Sequence, residues 1–173
     1  MSDTDMANVS ESQLRQRATE VLECARQSGL TLGTAESCTG GLVSGTLTAI
    51  PGSSDVVMGS VVSYACSVKH RVLGVSQETL DTVGAVSEEC ARQMAEGARR
   101  VLASDVAVAV TGIAGPGGAV PGKPVGTVWF ACASEQGTRA ERHEFSGDRD
   151  AVRSKTVSCA LDMLSDACGG TRS

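Results

Sequence analysis

Aromatic side chains are nearly missing from this 173-residue chain, which has one Trp, one Tyr and two Phe. Its core is therefore expected to rest on Val, Ala, Leu and Ile, and the stacking platforms that single-stranded nucleic acids need are nearly excluded. Basic runs are missing too. With a net charge of -5 and no Lys/Arg cluster, the chain lacks the footprint that displaces counterions from a duplex, so no nucleic-acid partner is expected. No apolar stretch approaches the roughly 18 residues of a membrane span. The opening Met1 to Gln13 is polar and acidic, unlike a secretory leader. The seven cysteines are odd in number, widely spaced and never in a C-x-x-C pair, which argues against a disulfide framework or a zinc site. These absences give a reducing, cytoplasmic compartment, no membrane partner, no metal and no cofactor as expectations.

What is present is ordinary globular material, 41% hydrophobic and 20% charged, and one domain over residues 1–173 is the reading, with 1–9 frayed. Ser10 and Gln13 form a capping-box pattern, and Leu14, Ala18, Val21, Leu22 and Ala25 recur at helical spacing until Gly29. Leu30 to Ala35 reads as a strand, Glu36 to Gly41 as a turn, and Leu42 to Ile50 as a helix ended by Pro51-Gly52. A Val-rich strand over Val56 to Tyr64 and a short helix over Ser67 to Leu73 follow. Ser87 to Leu102 is a helix with Glu88 and Glu89 at its start and Arg99 and Arg100 at its end, as the macrodipole favours. Val106 to Val110 is continuously apolar, as a strand buried on both faces requires. A loop from Gly112 to Pro124 leads to a strand over Val125 to Ala133, an edge strand over Ala140 to Phe145, and a closing helix over Ala151 to Leu164. The alternation predicts an α/β fold: a three-layer α/β/α domain around a mostly parallel to mixed sheet.

The chemistry concentrates at Ala35-Glu36-Ser37-Cys38-Thr39-Gly40-Gly41, where a strand ends in hydroxyls, two glycines and a helix start. Such a start suits an anion or oxyanion, though a merely capped turn fits the pattern equally. G-x-S-x-G is absent, so a hydrolase elbow is unsupported. Ser37 as a nucleophile needs a base. His143 lies in the charged stretch Arg139 to Glu144 and reads as a solvated strand position, which turns attention from a Ser/His triad to Lys69, with Tyr64 as relay or donor. Against this, lysine is rarely buried, and an exposed helix residue is the plainer reading. Cys38, near a helix N-terminus, also fits a redox-responsive thiol of lowered pKa, against the plainer reading of an inert small core residue.

A second glycine-rich element, Thr111 to Gly118, follows the buried strand, where open α/β sheets collect ligands. Gly117 to Lys123 matches G-x-x-x-x-G-K, but Pro124 stands where the P-loop needs Ser or Thr, and a strand rather than a helix follows. Asp148 is read as the cap of the last helix, whose Arg153 and Lys155 face either a phosphate or solvent.

In order along the chain, TAESCTGG (Thr34 to Gly41), PGSS (Pro51 to Ser54), the Tyr64 to Lys69 segment with LGV after it, GAVSEE (Gly84 to Glu89), AVTGIAGP (Ala109 to Pro116), KPVGTVW (Lys123 to Trp129) and GDR (Gly147 to Arg149) resemble the CinA C-terminal domain family, the nicotinamide-nucleotide amidohydrolases. The resemblance implies hydrolysis of nicotinamide mononucleotide to nicotinic acid mononucleotide and ammonia, with Ser37 attacking the amide carbon and Lys69 and Tyr64 managing its proton. It implies substrate contacts from Thr39, Gly40, Gly41, Thr111, Gly112, Gly115 and Arg149, a small-molecule nucleotide as partner, and a homo-oligomer, most simply a dimer. One position departs from the family pattern Y-S-N-x-x-K, for Cys66 stands where Asn is common. A catalytically silent nucleotide-binding module is the alternative that this departure keeps open.

Overall fold

Strand β3, Val106–Gly112, alternates valine and alanine, and this alternation sets how the layers pack. Val106, Val108 and Val110 belong to one apolar cluster, Ala107 and Ala109 to another on the opposite face. The valine face meets helices α1 (Glu11–Ser28), α2 (Leu42–Thr48) and α6 (Arg149–Ala167). The alanine face meets α3 (Cys66–Leu73) and α5 (Glu88–Leu102), where small side chains let α5 lie close. The computed structural model describes residues 8–169. Among them, the remaining strands are β1 (Leu32–Glu36), β2 (Val57–Val62), β4 (Thr127–Ser134) and β5 (Gly137–Glu144), giving one sheet in the order β2-β1-β3-β4-β5. β2, β1 and β3 pair in parallel, while β4 pairs antiparallel with both β3 and β5, so the expected α/β/α layering around a mixed sheet is present. Most of the frayed segment expected at the start falls in 1–7, outside the described residues.

The connections part at the carboxyl edge of the sheet. The chain leaves β1 toward the α1/α6 face through α2 and leaves β2 toward the α5 face through α3. Loops that diverge in this way open a crevice at the carboxyl ends of the strands, the usual ligand position in open α/β sheets.

Several elements differ from the sequence expectation. Helix α4, Gln77–Thr82, was not anticipated; Ser76 caps it by accepting from Thr79 N at 3.1 Å. Strand β2 stops at Val62, and the following Ser63 N–H still donates to Glu36 O at 2.8 Å. Strand β4 starts only at Thr127 because Gly126, at φ +95°, takes a left-handed turn against the carbonyl of Phe145. His143 is not a solvated strand position. Its ring stacks on Phe145 with centroids 5.5 Å apart and meets Phe130 edge-on at 5.3 Å, using three of the chain's few ring systems as one cluster. Lys155, read as facing a phosphate or solvent, is buried and donates to Ser146 O at 2.9 Å.

Gly97 is where α5 approaches the end of α3. A Cβ there would stand 1.9 Å from the carbonyl oxygen of Leu73, so only glycine permits this contact. Gly97→Ala is expected to destabilise the protein by about 1–3 kcal/mol, the usual range for overpacking, measured by urea unfolding; a variant as stable as wild type would refute the close approach.

Candidate active site

Three strand ends converge around Ser37. Its N–H donates to Val110 O of β3 at 3.1 Å, one residue beyond β1, so the sheet itself fixes the serine backbone. The turn after it is closed by Gly40 N–H to Ser37 O at 3.0 Å and Leu42 N–H to Thr39 O at 3.1 Å. Gly41, at φ +104°, is the N-cap of α2 and offers no side chain to the helix. Glu36 supplies that missing cap. Its carboxylate, fully buried, accepts from Val43 N at 2.8 Å, Ser44 N at 2.9 Å and the Thr39 hydroxyl at 2.7 Å. The hydroxyls of Thr34 and Ser60 stand 3.1 and 3.3 Å from its other side.

This overturns one expectation. The α2 N-terminus is not open to a substrate anion, because the chain's own carboxylate fills it, and an anion is what a helix start attracts. Thr39, Gly40 and Gly41 do not line the neighbouring cleft, and the Thr39 hydroxyl is committed to Glu36. Cys38 does not have the lowered pKa of a reactive thiol: it is buried, and burial pushes it up to about 11.

Lys69 is the second element. It lies on α3 at 2% exposure, contrary to the plainer reading of an exposed helix lysine. Its Nζ stands 2.9 Å from Ser37 Oγ, 2.5 Å from Ser63 O and 3.4 Å from Tyr64 O. It has no carboxylate partner among the described residues. Burial holds its pKa below the ordinary 10.5. Three neighbours suit either protonation state. The ammonium donates to all three; the neutral amine donates to the two carbonyls and turns its lone pair to the Ser37 hydroxyl.

Tyr64 reaches this pair only through its carbonyl. The phenol is 65% exposed and meets Arg149 Nη2 at 3.4 Å, so it stands at the rim rather than between Ser37 and Lys69. The two span a cleft of about 290 Å3 lined by Ser37, Cys38, Tyr64, Cys66, Lys69, Ala85, Val86, the stretch Thr111 to Gly115, Gly117, Gly118 and Arg149. Arg149, in the first turn of α6, is steadied by donating to Gly115 O at 2.7 Å. The Thr111 hydroxyl donates to Ala85 O at 2.8 Å and thereby holds the segment before α5 against the cleft. Of the residues singled out in the sequence, the structure thus gathers Ser37, Lys69, Tyr64, Thr111, Gly112, Gly115 and Arg149 in one place. Glu36 escaped the sequence reading as a site residue, and Arg153, read as facing a phosphate or solvent, instead holds backbone carbonyls of the turn after Ser37. Glu36 was readable as the acid beside the serine, whereas nothing local marked the partners of Arg153, which are 114 and 115 residues away.

Fold and site together define a three-layer α/β protein with a part-buried serine paired to a buried lysine at the carboxyl ends of its parallel strands. The CinA C-terminal domain model matches residues 14–168, and the chain belongs to that family. A CinA-like protein from Geobacter metallireducens is 53% identical over 146 residues, 84% of this chain but 35% of the relative, so the chain spans about a third of that protein's length. The competence/damage inducible protein CihA from Agrobacterium tumefaciens is 42% identical with a TM-score of 0.87, covering 95% of this chain and 99% of that one. A CinA superfamily protein from Klebsiella pneumoniae has the same TM-score at 35% identity, covering 90% and 98%. No helix among the described residues is long and apolar enough to cross a membrane.

The depressed Lys69 pKa has a consequence for stability. Folding disfavours the charged amine, so wild type is penalised at neutral pH, and its stability rises with pH between the folded-state pKa and the ordinary 10.5, where the unfolded chain holds more protons. Lys69→Met is expected to melt no lower than wild type at pH 7, with any advantage shrinking as the pH is raised toward 10.5. A Met variant that melts well below wild type at pH 7 sinks this expectation.

Proposed function

We propose that the chain is an amidohydrolase acting on the carboxamide of nicotinamide mononucleotide in the cytoplasm, with Ser37 as nucleophile and Lys69 as its base. The observation that carries this reading is the buried Lys69 Nζ at 2.9 Å from Ser37 Oγ, its other contacts being carbonyls rather than carboxylates. A lysine without a counter-ion in a desolvated site is biased toward its neutral form, the form that accepts a serine proton.

In the first half-reaction Lys69 takes the hydroxyl proton as Ser37 Oγ bonds to the amide carbon, and the carbonyl electrons move onto oxygen. Collapse of that oxyanion breaks the C–N bond, and Lys69 returns the proton to the departing nitrogen, releasing ammonia. Water then attacks the acyl-serine, Lys69 again takes one proton and gives it back to Ser37 Oγ, and the carboxylic acid product leaves and ionises, its proton passing to the released ammonia or to water. Oxyanion donors come from the turn after Ser37. Gly40 and Leu42 spend their N–H groups inside the turn, and Thr39 and Gly41 do not line the cleft, so the Cys38 N–H is the one in this turn suited to the task. The Thr111 hydroxyl is already given to Ala85. Arg149, at the cleft rim, is suited to the phosphate of the nucleotide. The choice of nicotinamide mononucleotide rests on the sequence blocks shared with the family, from TAESCTGG to GDR.

Ser37→Ala is expected to lower ammonia release from nicotinamide mononucleotide by about a thousandfold or more, with binding retained in calorimetry. Lys69→Arg should be as damaging, since a guanidinium does not give up its proton. For wild type, kcat/KM should rise with pH as Lys69 becomes neutral, through a value below 10.5. Equal rates for wild type and Ser37→Ala would remove Ser37 from the mechanism; tight nucleotide binding with no product from wild type would make the domain a binding module.

A further inference from the structure

Arg153, on α6, reaches across to the turn after Ser37 and holds two successive carbonyls of it. Its Nε donates to Cys38 O at 3.2 Å and its Nη2 to Thr39 O at 3.1 Å. It makes no salt bridge among the described residues, so its charge is not neutralised locally by a carboxylate. We propose that Arg153 is a positioning residue that fixes the peptide planes of this turn, and through them the N–H of Cys38 at the cleft wall. This rests on the reading of Ser37 as nucleophile.

A trans peptide is planar, with its C=O and N–H pointing in opposite directions. Holding the Cys38 carbonyl therefore also fixes the Thr39 N–H, on the side away from the guanidinium. Holding the Thr39 carbonyl fixes the Gly40 N–H, which donates to Ser37 O and in turn sets the plane that carries the Cys38 N–H. Each of the three peptide groups following Ser37 thus has its oxygen held: Ser37 O by Gly40 N–H, Cys38 O by Arg153, and Thr39 O by Arg153 together with Leu42 N–H. A glycine in this stretch would otherwise let the chain rotate, for Gly40 sits at φ +60° with Arg153 Nη2 the nearest atom to where its Cβ would be, at 3.6 Å. The guanidinium also pulls electron density toward the held oxygens, which makes the opposed N–H groups better donors. Glu36 secures the turn from its other end through α2, but its contacts are to N–H and hydroxyl groups, and Arg153 is the side chain that reaches these carbonyls.

Arg153→Ala and Arg153→Lys should separate this role from simple structural support. Measured on ammonia release from nicotinamide mononucleotide, Arg153→Ala is expected to lose about 10- to 100-fold in kcat while KM changes little. Arg153→Lys keeps the charge but not the two-pronged grip, and should recover only part of the loss. Added guanidinium ion should restore part of the rate to the alanine variant and none to Ser37→Ala. In amide hydrogen exchange, the peptide spanning Cys38 to Gly41 should exchange faster in Arg153→Ala, with the α1 and α5 peptides unchanged. A kcat equal to wild type in Arg153→Ala, alongside an inactive Ser37→Ala, overturns the proposal and leaves the nucleophile standing. Were wild type itself silent toward the amide, the exchange measurement still decides: unchanged protection of the turn in Arg153→Ala refutes the clamp.

Discussion

The buried carboxylate of Glu36 is the contact from which the rest of the site is built. A charged group without exposed surface is costly unless hydrogen bonds replace its water, and here they come from every direction: two helix N–H groups, the Thr39 hydroxyl, and the hydroxyls of Thr34 and Ser60 nearby. Because those donors belong to β1, β2, the turn and α2, satisfying one carboxylate fixes the mutual placement of four segments. Ser37 is the next residue along and inherits that placement. The glycine N-cap of α2, which offers the helix nothing of its own, becomes intelligible as room left for a cap arriving from the preceding strand.

Lys69 depends on a different packing decision. Its amine is dry because α3 lies down on α5, and α5 admits α3 only where Gly97 brings backbone against backbone at Leu73. The carbonyls it meets, those of Ser63 and Tyr64, are exposed to it because β2 ends at Val62 and the chain turns away. Strand termination, helix packing and desolvation thus converge on a single nitrogen. From the opposite layer, α6 contributes Arg149 at the rim and Arg153 behind the turn, so both helical layers reach the cleft.

Local pattern carried the element types well where it repeats. The capping box at Ser10, the acid-to-base gradient of α5 and the apolar β3 all appear in the structure near the expected positions. It failed where a residue's neighbours come from far along the chain. His143 looked solvated amid charges, yet its ring packs with Phe130 and Phe145. Lys155 looked like a surface cation and is buried on Ser146. The helix start beside Cys38 allowed an activated thiol, but Glu36 occupies that start and the thiol is enclosed, in line with the plainer reading of a small core residue. The Tyr64 phenol, adjacent in sequence to the pair it was expected to serve, points to the rim instead.

From sequence alone come the layered α/β class, the two glycine-rich loops placed after strands, the serine and the lysine as the pair to consider, and membership in the family, because each of these is written in nearest-neighbour pattern or ordered blocks. Only the tertiary structure decided that Lys69 is buried and stands 2.9 Å from Ser37, that an internal carboxylate rather than a substrate anion fills the α2 N-terminus, and that Arg153 grips the turn from across the molecule. The reason is physical. Burial, desolvation and hydrogen-bond partnership are properties of what surrounds a group in space, and for these residues much of that surrounding comes from parts of the chain tens of residues away.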